Sequence, residues 1–136
     1  MSTSGYSGTP LLNKLGIKPA MKVLLINQPN NYFELLENDI TKQVCSKNEI
    51  PDFIHLFVIN HKEFEQAMKL IKSIAKKNTE IIVWVSWYKK SAKIATDITE
   101  DAIRNYALKN SLVDIKVCAV SDIWSGLKLV VPRSLR

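Results

Sequence analysis

The sequence predicts a three-layer α/β domain: a mostly parallel sheet with helices on both faces and an antiparallel hairpin at the C-terminal end. Three observations predict it. Residues 21–27 (MKVLLIN), 53–59 (FIHLFVI) and 81–87 (IIVWVSW) are apolar on both faces, as strands covered from both sides are. Helical patterns alternate with these runs, and right-handed crossovers turn that alternation into parallel pairing. Two strand-like runs, 113–120 and 127–131, then close the chain, separated by a segment short enough for a hairpin.

Taken in order, residues 1–8 are small and polar and read as an arm. Thr9 suits an N-cap, Pro10 a first helical position and Gly16 a C-cap, so 11–15 is a short helix. The strand 21–27 ends in the turn Gln28-Pro29-Asn30-Asn31. A short helix over 32–37 and a brief strand over 41–46 follow. After the second apolar strand, Asn60 caps a helix, with Glu63 completing a capping box. Phe64, Ala67, Met68, Ile71, Ile74 and Ala75 recur at three and four and form one buried stripe. Lys72, Lys76 and Lys77 load its last turns, where the helix dipole favours cations. Past the third strand lies a long loop, 88–97. Thr99 then caps a helix with Glu100 and Asp101 in its first turn, and Ile98 packs on Ile103 as a hydrophobic staple. No repeat, low-complexity tract or linker divides the chain, so one domain is expected of its 136 residues.

The composition, 46% hydrophobic and 24% charged, is that of an ordinary globular domain. No apolar run is long enough to span a membrane, and residues 1–10 have neither a basic nor an apolar segment of a secretion signal. Cys45 and Cys118 lack metal spacing and sit in apolar contexts, which fits reduced thiols in a cytoplasm. The net charge of +6 is lopsided. Five lysines balance Glu34, Glu37, Asp39, Glu49 and Asp52 up to residue 60, so the excess lies beyond it. A basic half attracts phosphate-rich partners, although no nucleic-acid motif accompanies it, and a solvated basic face explains it as well.

Three stretches resemble the class I methyltransferase variant of the Rossmann fold. They are Lys18-Pro19-Ala20-Met21-Lys22-Val23-Leu24, Pro51-Asp52-Phe53-Ile54-His55-Leu56, and the final strand pair over 112–131. The chain is shorter than that fold by about one strand–helix unit. It is also similar to an uncharacterised bacterial domain of unknown function. That likeness is carried by GYSGTPL (5–11), KLGIKP (14–19), WVSW-x-KK (84–90), TDxTED (96–101), KVCAV (116–120) and WSGLKLV (124–130). The first resemblance implies S-adenosylmethionine chemistry; the second implies none.

The residues argue against the methyl donor. Methyltransferases place a glycine-rich turn after the first strand, where glycine allows close backbone approach and positive φ. Here that turn is Asn27-Gln28-Pro29-Asn30-Asn31; it has no glycine, and Pro29 removes an N–H donor. The second strand should end near an acid for the ribose hydroxyls, but it ends at Cys45-Ser46-Lys47, with Glu49 off position. No cofactor is therefore expected.

Ligands of open α/β sheets sit beyond the carboxyl ends of parallel strands. Those ends are Asn27, Asn60 and Ser86-Trp87, and the loop after Trp87 adds Tyr88, Lys89, Lys90 and Lys93. Aromatics beside lysines can stack a base and hold a phosphate; a solvated loop is the plainer reading. Tyr6, Ser7 and Thr9, before the first helix, form a second candidate anion site, although capping alone accounts for Thr9. Trp124 and Lys128, assigned to the hairpin turn, are candidates for a partner surface, unless the indole folds over the sheet edge. His55 is expected in the core. His61, at a helix start, is better placed for chemistry, but no metal or catalytic constellation accompanies either. The leading expectation is a non-catalytic binding or regulatory module for an anionic small molecule or a protein partner. A divergent S-adenosylmethionine-dependent methyltransferase is the alternative, and weak nucleic-acid binding by the basic half is the third.

Overall fold

The computed structural model describes residues 10–136. One sheet runs through it, in the order β1 (Val23–Ile26), β2 (Phe53–Phe57), β3 (Ile82–Tyr88), β5 (Trp124–Val130), β4 (Val113–Ala119). β1, β2 and β3 pair in parallel, with Leu24 opposite Ile54 and Ile54 opposite Val83. β5 pairs antiparallel with both β3 and β4. The expected α/β architecture is therefore present, with one correction. The hairpin does not simply add an antiparallel edge strand: β5, antiparallel to both neighbours, is interior and β4 is the edge, and Leu127 and Leu129 of β5 are fully buried in the core shared with α3 and α4.

Helices α1 (Leu11–Leu15) and α2 (Tyr32–Leu36) cover one face, and α3 (His61–Lys77) and α4 (Glu100–Lys109) cover the other. On α3, Phe64, Met68 and Ile71 are buried to within 1%, which contributes about 1.5–3 kcal/mol each. The opposite core is aromatic: Tyr32 of α2 packs with Phe53, Phe57, Trp84 and Trp124 of the sheet. The Trp84 indole donates to the Leu15 carbonyl at 2.9 Å, which ties α1 to the sheet.

Local signals act as expected at most helix ends. Asn60 Oδ1 accepts from the Glu63 N–H at 2.8 Å, and Thr99 Oγ1 accepts from Ala102 N–H at 3.2 Å. The Glu63 carboxylate reaches back to the Ile59 N–H rather than that of Asn60. Gly16 ends α1 at φ 83°, a left-handed conformation that glycine adopts without strain. Pro10 is the N-cap of α1 rather than its first helical residue. The assignment of Thr9 and of the arm 1–8 lies outside the described residues.

Two further expectations are corrected. Residues 41–46 do not form a strand: Thr41–Gln43 is a 3-10 turn, and only Val44 bridges β1, at Val23. The Asp39 carboxylate captures the Thr41 N–H at 2.9 Å and draws the backbone out of ladder geometry. Trp124 is not in a turn but opens β5, because it pairs with Tyr88 and stacks on it at 4.2 Å.

Candidate functional site

β3 ends at Tyr88, and the chain continues into the 3-10 turn Lys90–Ala92 before returning to α4. Both ends of this loop are tied down. The Lys89 N–H donates to Ile123 O at 2.9 Å, and Asp97 accepts the His61 N–H at 2.8 Å. The Thr96 hydroxyl also donates to the Ile59 carbonyl. Asp97 therefore caps the start of α3 rather than serving α4. Between loop and helix lies a cleft of about 760 Å³. That volume falls within the range that holds small ligands.

Trp87, Tyr88, Lys89 and Lys90 line this cleft on one side, and Thr99, Glu100 and Asp101 at the start of α4 line the other. Among the described residues neither Lys89 nor Lys90 forms an ion pair. The acids opposite are engaged. Arg104 donates to Glu100, to Asp101 at 3.1 Å and to Asp114 at 2.9 Å. The hydrogen bonds it donates to Glu100 and then to Asp114 push the guanidinium further into its charged form. The cleft thus presents two ammonium groups without ion pairs among the described residues, beside a nearly buried indole and facing carboxylates that share one arginine.

The other predicted site residues lie apart from it. Asn27 is exposed in a smaller hollow with Glu63 and Lys47, and its φ is 58°. Asn60 spends its side-chain oxygen on capping α3. Lys128 faces the α1 side of the sheet, opposite Trp84. Trp124 is 6% exposed, held between Tyr88 and Phe57, so its indole offers no open partner surface. His61 is exposed at the start of α3. Tyr6, Ser7 and Thr9 lie outside the described residues.

Ser86 is displaced from the predicted rim altogether. It is fully buried and points into the aromatic core, where its hydroxyl meets His55 Nε2 at 2.7 Å. His55 Nδ1 meets the Tyr32 hydroxyl at 2.7 Å. Burial drives the imidazole down to about 3 and the phenol upward, so both are neutral. Three hydrogens then serve two hydrogen bonds, whichever ring nitrogen carries the proton. The sequence predicts His55 in the core. It carried no sign that Tyr32 and Ser86 flank it, because the three residues meet only through sheet register and the docking of α2.

No protein-family model matches the chain, and no curated protein sequence matches it. Solved structures do. A protein of the NADB-Rossmann superfamily from Streptococcus agalactiae aligns with 96% of this chain and 71% of its own, at TM-score 0.51 and 9% identity. A candidate type 11 methyltransferase from Sulfolobus solfataricus aligns over 89% of both chains, at TM-score 0.54 and 18% identity. LepI, solved in complex with SAM, aligns with 90% of this chain at TM-score 0.54 and 11% identity, and this chain spans only 39% of its length. Identities this low speak for architecture alone, and the architecture is that of a Rossmann-like, methyltransferase-type α/β sheet.

Proposed function

We propose that this chain is a non-catalytic binding module on a methyltransferase-like fold, and that it holds an anionic small molecule in the cleft beyond β3. The observation that carries this reading is the pairing of Lys89 and Lys90, free of ion pairs among the described residues, with Trp87 and Tyr88 in a cleft of about 760 Å³. Ammonium groups hold phosphate or carboxylate as point charges, and aromatic faces stack a base. We read the motifs from GYSGTPL to WSGLKLV as membership of an uncharacterised bacterial family, which brings no assigned chemistry. Isothermal titration with adenosine monophosphate tests the cleft. Binding that disappears in the Lys89→Ala, Lys90→Ala double variant supports the reading; unchanged binding in that variant refutes it.

One observation favours the alternative, a divergent S-adenosylmethionine-dependent methyltransferase. Asn27 adopts φ 58° directly after β1, so the chain reaches left-handed geometry there without glycine. Calorimetry against S-adenosylmethionine and S-adenosylhomocysteine separates the two readings. Saturable binding of either one rescues the enzyme; no heat with both removes it.

A further inference from the structure

A cavity of about 290 Å³ lies at the opposite end of the sheet from the cleft, where α3 runs out and β3 begins. The seven residues of β3 separate the two, about 20 Å of strand. The hollow follows from the sequence of α3. Its buried stripe ends on a small residue, Ala75, where Met68 and Ile71 fill the turns before it. Val131, just past β5, completes the apolar floor, and Leu135 stands as a wall, 53% exposed. Arg136 Nε donates to the Val131 carbonyl at 2.8 Å and folds the 3-10 turn Arg133–Leu135 back into that position. The rim is cationic. Lys72 and Lys76, one turn apart on α3, both line it, and among the described residues no carboxylate does. Lys72 reaches across to Asn110 Oδ1 at 3.2 Å, and Asn110 is itself fixed by its bond to Tyr106 O at 2.8 Å. Two of the three Lys72 ammonium donors remain for a guest. Lys76 is exposed and forms no ion pair among the described residues. Glu80, the first acid after α3, turns to Arg136 instead, at 3.9 Å.

We infer that this cavity binds an aliphatic carboxylate of medium chain length, with the chain over Ala75, Val131 and Leu135 and the head between Lys72 and Lys76. The floor favours an apolar chain over a bare inorganic anion, whose hydration it would not replace. The paired ammonium groups favour an anionic head over a neutral or cationic one. At the roughly 30 Å³ share of one water molecule, the volume of about 290 Å³ holds about ten heavy atoms, the size of octanoate. This site is independent of the cleft at Lys89 and Lys90, and the experiment keeps the two apart.

Isothermal titration of the full chain with butanoate, hexanoate and octanoate tests it. Each added methylene should tighten binding by about fourfold, the gain from burying one CH₂ group. Octylamine, with the same chain and the opposite charge, should give no saturable heat. Lys76→Gln should weaken octanoate binding by about tenfold, the loss of one hydrogen bond to a charged group. Lys76 is exposed, so this variant keeps its fold, which circular dichroism checks. The Lys89→Ala, Lys90→Ala variant, which removes two charges at the cleft, should bind octanoate as the wild-type protein does. Absence of saturable octanoate binding overturns the site. Equal affinity for the three acids, equal affinity for octylamine, or full affinity in Lys76→Gln does so too. Loss of binding in the Lys89→Ala, Lys90→Ala variant assigns octanoate to the cleft and overturns it as well.

Discussion

Acid should destabilise this protein through one imidazole, by a calculable amount. His55 is fully buried between the Tyr32 and Ser86 hydroxyls, and burial holds it down to about 3. In the unfolded chain the same group titrates near 6.5. Above that value both states are neutral and the full stability is present. Below it the unfolded state takes up a proton that the folded state refuses, so stability falls by about 1.4 kcal/mol per pH unit until pH nears 3. Between about pH 7.5 and about pH 5 the loss comes to about 2 kcal/mol, a large share of the 5–15 kcal/mol typical of a domain. Urea unfolding followed by tryptophan fluorescence measures it, because Trp84, Trp87 and Trp124 are all buried and report loss of the core. His55→Gln cannot titrate. It should be less stable at neutral pH, yet lose most of the slope between those two pH values. Equal stability of the wild-type protein at both pH values would refute the argument, as would the same slope in His55→Gln.

Two further predictions rest on packing and capping. A Cβ at Gly126 would lie 3.0 Å from Val120 Cγ2 and 3.1 Å from the Trp84 ring, so Gly126→Ala should cost about 1–3 kcal/mol in the same urea assay. An unchanged midpoint would show that Trp84 moves aside freely. Asn60→Ala removes the side-chain acceptor at the start of α3 and should cost about 1 kcal/mol, whereas Asn60→Asp should cost far less. Equal losses in the two variants would show that the cap bond contributes nothing.

Much of this architecture is legible in the residues because it is local. Doubly apolar runs mark β1, β2 and β3 as covered strands, and Asn60, Thr99 and Gly16 mark helix ends within a few residues of their own effects. The loop bearing Lys89 and Lys90 was equally visible, since it leaves the end of a recognisable strand. Residues 41–46 misled because strand propensity there competes with a side-chain hydrogen bond from Asp39.

By itself, then, the chain determined its α/β class, its order of elements apart from residues 41–46, and the lack of a glycine after the first strand, since each depends on neighbours within one or two turns. Only the tertiary structure decided which way Ser86 faces, where β5 inserts, and which lysines meet. A strand's two faces look alike in a run apolar on both sides. The choice between them is made by distant partners: Tyr32 and His55 for Ser86, and Lys116 for Lys128 across the β4–β5 ladder.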